Sequence, residues 1–496
     1  MRARTTAVRG GRGGERGAAL LVVIVSVAIL TALAANLAYE SRVSLEIAAN
    51  ARDELRATYL AKSGVALSRM VLGFQQQIDD AAGAACGLLG QGLPGARNPP
   101  GAPQRPGGQP GGAAQPAAAC PRPQIWNAVP VSSVLVQSLF GGGEAAAAPA
   151  GAARAAATPA GAAAGGERTR AAFGEFDGAF EAKIEDEGRK VNAQLDARAV
   201  SGPARMQVLG LYQLICDPRW DRIFEREDAN RVRTSRQDLI VHLRDWIDDD
   251  KVSSSLVASF PGAACLMEPG DPPFEPGFGD ENFPYDKGED RYRAKNARLD
   301  SIEELYLVAG VSDVFMAAFG DRLTVYLPVE APRNVNTSDR RDLVELARLL
   351  ADPPAQPVLL DPEFGAKLQQ AIADQTTNGL MTITPLQFAA TVEALGVRVN
   401  TAALSPTSGK QFLTDRSYVF RIRSTGTAGA VTKSVDAVVT FDPNQNRDTQ
   451  GQPQLQVPGQ NPAQAQALAQ LQTQAQQLQS AATGVKPNRL LRWREE

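Results

Sequence analysis

Residues 16–74 read "RGAALLVVIVSVAILTALAANLAYESRVSLEIAANARDELRATYLAKSGVALSRMVLGF". The 22 residues from Gly17 to Ala38 carry no charge, and at about 1.5 Å rise per residue they cover a hydrocarbon core of roughly 30 Å. Ahead of them, Arg2, Arg4, Arg9, Arg12 and Arg16 outweigh Glu15, a bias that holds this end in the cytoplasm and sends the remainder outside. A removable secretory signal has a shorter apolar core, then a cleavage site and a change of character. Here the helical pattern continues. Val43, Ile47, Ala51, Leu55 and Tyr59 recur every fourth residue among Glu46, Arg52, Glu54 and Arg56, so one face is expected to stay apolar beyond the membrane. Neither proline nor glycine falls between Ala18 and Ser63. One continuous helix over 18–75 is expected, with its membrane part at 18–38.

The junction of "RG" with "AALLVVIVSV" resembles the cleavage site and mature N-terminus of the type IV pilin and pseudopilin families. The resemblance implies that a prepilin peptidase removes leader 1–17 by cutting between Gly17 and Ala18, leaving the helix in the working protein. Most members carry glutamate at the fifth mature position, and this chain has Val22 there. A carboxylate buried in a membrane needs a partner, in these families the terminal amine of a neighbouring subunit. Its loss resembles the minor pseudopilin K of type II secretion (the general secretion pathway protein K family), which is placed at the filament tip. The resemblance extends through "IEDEGRKVN" with Asp186, Glu187 and Asn192, then "DWIDDD" at 245–250, "GDENFPY" at 279–285, "YRAKN" at 292–296 and "SIEELYLVAGV" at 301–311. It implies an α+β fold in which the long N-terminal membrane-spanning helix packs on an antiparallel sheet, with a large helical domain inserted. The implied partners are the I- and J-type minor pseudopilins, the major pseudopilin, the prepilin peptidase and the bacterial inner membrane, with the C-terminal bulk in the periplasm. The alternatives are a minor pilin of a type IV pilus or competence system and a membrane-anchored periplasmic hydrolase.

Composition divides the remainder. Residues 81–166 are dominated by Ala, Gly and Pro and 443–496 are rich in Gln, so both are expected to be disordered for want of apolar surface to offset ordering entropy. Within the first, "IWNAVPVSSVLVQSLF" (125–140) is an apolar island that could dock on the domain. The pseudopilin domain is then expected at 173–195 and 321–442, interrupted by the helical domain at 196–320. Helical spacing sets Leu209, Tyr212, Leu243 and Trp246 on buried faces, "DRLTVYLP" reads as a strand, and 416–442 reads as a hairpin. The "NVNTS" segment and following helix resemble the family's SAM-like element. Ser301 and Glu304 have capping-box spacing.

Four cysteines suit an oxidising compartment. The simplest arrangement is two local pairs, Cys86 with Cys120 and Cys216 with Cys265; four free thiols is the alternative.

The acids gather in two places. Asp245, Asp248, Asp249 and Asp250 end a helix, and Asp271, Glu275, Asp280, Glu281, Asp286, Glu289 and Asp290 occupy a stretch broken by Gly and Pro. Hard oxygen ligands on a flexible segment suit calcium, and no His or Cys cluster suits a transition metal. The K pseudopilins have been associated with calcium; the candidate ligands are Asp248, Asp250, Asp280, Glu281 and Asp290, and the alternative is a solvated acidic face.

The net charge of −3 gives no general attraction to nucleic acid. Around 335–350, Asp339, Asp342 and Glu345 offset Arg340, Arg341 and Arg348, so nucleic acid is not an expected partner. No phosphate loop, dinucleotide fingerprint or nucleophile elbow is present in the sequence. The single histidine, His242, has no candidate nucleophile beside it. No catalytic role is expected.

Overall fold

The computed structural model describes residues 15–90, 122–140, 178–195, 202–227, 233–260, 265–286, 291–329, 331–353, 356–400, 404, 412–441 and 488–496. The helices are α1 (Glu15–Gly90), α2 (Ile125–Ala128), α3 (Ser133–Phe140), α4 (Gly202–Ile215), α5 (Asp221–Glu225), α6 (Arg236–Asp245), α7 (Asp313–Phe319), α8 (Arg340–Leu350), α9 (Phe364–Gln375) and α10 (Pro385–Ala394). The strands are β1 (Val131–Ser132), β2 (Ala179–Asp186), β3 (Val191–Asn192), β4 (Val252–Ser259), β5 (Glu268–Asp280), β6 (Leu323–Thr324), β7 (Arg333–Asn334), β8 (Leu413–Thr414), β9 (Val419–Ala428), β10 (Val431–Thr440) and β11 (Arg489–Glu495). The fold is α+β, a long N-terminal apolar helix against an antiparallel sheet.

Helix α1 outruns its expected end near residue 75 and continues to Gly90, because the first proline after Ala18 is Pro94 and isolated glycines only weaken a helix. Its first half is long and apolar enough to cross a membrane, with a mean hydropathy of 2.6 over its most apolar window and none of that window buried. Beyond the span, Ile47, Leu55 and Tyr59 of the expected apolar stripe face outward. The face that meets the sheet is a different one: Ala57, Ala61, Gly64 and Ser68, at helical spacing, are buried. Small side chains let the backbones approach closely. A Cβ on Gly426 would overlap the carbonyl oxygen of Ala57 and stand 2.5 Å from the Ala61 nitrogen.

The five-stranded sheet runs β1-β2-β9-β10-β11, with all four pairings antiparallel. Alternation puts Phe180, Ala182 and Ile184 of β2 and Phe420, Ile422 and Ala428 of β9 into one core with α1. On the other face, Val419 and Val438 join the larger core that embraces helices α4 to α10. Two expected disordered segments correct themselves here. The island 125–140 supplies the edge strand β1 and buries Trp126 against Phe420, ring centroids 5.5 Å apart. From the tail, β11 covers the opposite edge along β10. Residues 81–90 extend α1, and 91–121, 141–166 and 443–487 lie outside the described set.

The "DE" turn joins the two cores. Asp186 accepts from the Gly188 amide (2.7 Å), Asn334 (2.9 Å) and Ser417 (2.7 Å). Fully buried Glu187 accepts from Arg421 (2.8 Å) and Lys190 (2.7 Å). Burial works against both charges of the Glu187–Arg421 pair, yet the partners win, holding the Glu187 carboxyl below its usual range and raising the Arg421 guanidinium.

The inserted region is not purely helical. Its "GDPPFEPGFGD" stretch is β5, paired antiparallel with β4 in a long hairpin, since alternate residues can reach a partner strand that the sequence reading left out of account. "DRLTVYLP" forms only the two-residue β6, parallel to β3. Leu209, Leu243 and Trp246 are buried as expected, while Tyr212 is half-buried. His242 places Nδ1 3.0 Å from the Ala309 carbonyl, an anchoring contact. Cys216 and Cys265 are joined as a disulfide with Cα atoms 5.0 Å apart; Cys120 and the Cys86 side chain lie outside the described residues.

Candidate metal centre

Helix α6 begins with a capping box, Ser235 accepting from the Asp238 amide at 3.1 Å and Asp238 accepting from the Ser235 amide at 3.0 Å. Its end is fixed from two sides. Asp245 accepts from the Ser254 amide (2.9 Å) and the Ser253 hydroxyl (3.1 Å), tying the helix to β4. The Trp246 indole donates to Glu304 at 3.1 Å and meets Tyr285 edge-on at 5.4 Å. These anchors present the next turn, 247–250, towards the end of β5.

There, carboxylate oxygens of Asp248, Asp250 and Glu281 lie within 4.8 Å of one another. Asp248 and Glu281 are each only 2% exposed. Both Asp248 oxygens, Glu281 Oε2 and Asn296 Oδ1 are buried without a hydrogen-bond donor. Asn296, at φ 51°, donates through Nδ2 to the Asp250 carbonyl (2.5 Å) and Glu281 Oε1 (2.8 Å), closing one side. Arg244 stands 3.5 Å from Asp248 but also donates to Ser254 and lies over the Phe274 ring. Burial, reinforced by Asp250, Asp245 and Glu281 against the pull of Arg244, pushes the Asp248 carboxyl up to about 7. Glu281 is raised too, by burial first and then by Asp245, Asp250 and Asp280, against the hydrogen bond from Asn296.

Buried oxygens without donors are costly unless something positive meets them. A hard divalent cation fits this donor set, which is oxygen throughout. Of the five expected ligands, Asp248, Asp250 and Glu281 come together. Asp280 does not: its carboxylate turns to the Asn282 amide and side chain, at 2.9 and 3.0 Å. Asp280 is the last residue of β5 and Glu281 opens the turn that follows, where its amide donates to the Lys251 carbonyl at 3.4 Å and its side chain is buried while Asp280 stays exposed. Asp290 lies outside the described residues. Asn296 was missed because charge, not oxygen, was counted; its place in "YRAKN" was the available signal.

The Ser301 capping box does not form, for Ser301 makes no cap bond. Glu304 is drawn off by Trp246, by Lys295 at 2.9 Å and by the Asp300 amide at 2.8 Å.

No family model matches the chain, and no curated protein does. Among solved structures, it is similar to a chain of the GspK-GspI-GspJ complex from the type 2 secretion system of enterotoxigenic Escherichia coli, at 17% identity and a TM-score of 0.28, over 53% of this chain and 75% of that one. So low a score carries no argument, and the fold and site rest on the residues described above.

Proposed function

We propose that the chain is a minor pseudopilin at the tip of the periplasmic pseudopilus of a type II secretion system, an assembly part and not an enzyme. The observation that carries this reading is α1: an uncovered apolar first half, an outward stripe of Ile47, Leu55 and Tyr59 beyond it, and a second half packed on an antiparallel sheet through small residues. One helix thus serves membrane residence and attachment to neighbouring helices. Gly17 and Ala18 stand at the start of α1, and Val22 in place of glutamate supports a position with no subunit above.

N-terminal sequencing of protein from cells that possess a prepilin peptidase should begin at Ala18, and co-expression with I- and J-type minor pseudopilins should yield a complex. A mature chain that retains Met1 together with no such complex rules the reading out.

Calcium is proposed for the centre formed by Asp248, Asp250 and Glu281 with Asn296. Binding raises the melting temperature by an amount set by concentration over dissociation constant, with Mg²⁺ weaker because it demands a tight octahedron. Asp248→Asn with Glu281→Gln should abolish the shift. With the folded Asp248 carboxyl at about 7 and the unfolded one near ~3.9, the native state binds more protons between those values. Stability of the calcium-free protein therefore falls as pH rises from about 4 to about 7. Calcium affinity climbs over the same range, because the ion competes with that proton. Melting curves at pH 5.5 and 7.5, with and without calcium, check both signs.

A further inference from the structure

The offset of Arg340, Arg341 and Arg348 by Asp339, Asp342 and Glu345 holds in sequence and fails in space. Asp339 is consumed as the cap of α8, accepting from the Arg341 and Asp342 amides at 2.7 and 3.2 Å. Asp342 accepts from Arg322 at 2.8 Å and stands 3.4 Å from Arg333. Glu345 accepts from the same two arginines, at 2.6 and 3.3 Å. All three acids therefore have other partners, although Glu345, three residues from Arg348 and four from Arg341, lies on the same face as those two arginines. Arg340, Arg341 and Arg348 are left with no side-chain hydrogen bond and no ion pair among the described residues.

Arg341, Val344 and Arg348 share one face at i, i+3 and i+7. That face, with Arg340, lines a cavity of about 160 Å³. Arg219 and Trp220 close its far side, Arg219 lying 5.5 Å from the Trp220 ring centroid. Asp217, the remaining acid in the wall apart from Glu345, holds Arg219 at 2.7 Å. Two neighbours of Glu345 fare differently. Burial opposes the charge on Arg322, but Glu345 and Asp342 overcome it; on half-buried Arg348 burial prevails over Glu345 and Asp217 and depresses the guanidinium. Arg348 is a half-buried cation that feels Glu345 and Asp217 without an ion pair of its own among the described residues, Glu345 being held by Arg322 and Arg333.

We propose that this cavity binds a phosphoryl group, held by Arg340, Arg341 and Arg348. One carboxylate offers two oxygens, which a single guanidinium fork satisfies. Three unpaired guanidiniums exceed that, whereas a phosphoryl group offers three terminal oxygens and up to two negative charges. The group could arrive as free phosphate or on a phosphorylated headgroup; the chemistry recognised is the same. The proposal is independent of the calcium centre and of the assembly role.

The test uses the full chain in neutral detergent, titrated calorimetrically with inorganic phosphate, glycerol 3-phosphate and acetate at ionic strength held constant with chloride. Saturable binding of phosphate or glycerol 3-phosphate is expected, with acetate at least tenfold weaker. Preference for the first marks free phosphate, and preference for the second marks a headgroup. Arg348→Met should weaken binding at least tenfold. It should keep or raise the melting temperature, since an unpaired desolvated charge is lost. Exposed Arg341→Gln should weaken binding without touching the fold. Absence of saturable binding, equal affinity for acetate, or undiminished affinity in the Arg341→Gln/Arg348→Met protein overturns the assignment.

Discussion

Gly426→Val should destabilise the protein by about 3 kcal/mol or more, although valine suits a strand better than glycine does. Gly426 sits within β9 opposite Phe180 of β2, and its missing side chain is what lets the strand touch α1. Any Cβ there meets the Ala57 carbonyl and the Ala61 amide. Both are helix backbone, which cannot rotate aside as a side chain could. The strand must lift or the helix must move, and either opens the core of Leu60, Val65, Ile422 and Val435. Thr425→Val, one position away on the solvent face, should change stability by no more than about 0.5 kcal/mol. Denaturant midpoints of the two variants, followed by tryptophan fluorescence, make the comparison.

Arg421→Met should cost about 3–5 kcal/mol. Glu187 lies wholly buried between the two cores, with Oε1 taken by Arg421 and Lys190 and Oε2 already without a partner. Methionine fills most of the space of the arginine stem but leaves the carboxylate with Lys190 as its one close cation, beside the Thr324 hydroxyl. Asp436, 3.5 Å from the same guanidinium, loses a counter-charge as well. The Glu187→Gln/Arg421→Met double variant should recover a large part of the loss, because the uncompensated charge is then gone. If the single and double variants melt together, the damage comes from packing and not from charge.

Elements with local signals were legible in the sequence. The uncharged span, the β9–β10 hairpin and the capped helix α8 needed only neighbours within a few residues, such as Asp339 for α8. What could not be read was any feature decided by a distant partner. "RLLRWRE" has no strand alternation strong enough to announce β11; it becomes a strand because β10 has an open edge beside it. Ser301 and Glu304 had the right spacing for a cap, and the tertiary claims of Trp246 and Lys295 on Glu304 prevailed. On α1 the large apolar residues drew attention, while the sheet chose the small ones. The acidic site was half legible for a like reason: sequence located the two acidic stretches, and only the turn that begins after β5 decided that Glu281 enters and Asp280 leaves.

Strand β11 imposes an order in time. Its backbone pairs with β10 from Thr440 to Val435, while Arg492 and Arg494 reach Glu303 of the inserted region and Glu495 reaches Lys62 of α1 at 2.9 Å. Synthesis delivers residues from α1 onward, so the helix, β2 and the β9–β10 hairpin can assemble while residues after 488 are still to come. During that interval the amides and carbonyls along the outer side of β10 have only water. Closure waits for the last part of the chain to emerge, and then fastens the sheet, the inserted region and α1 in a single step. A chain halted before residue 489 would carry an unprotected strand edge and be the form most prone to stick to its neighbours.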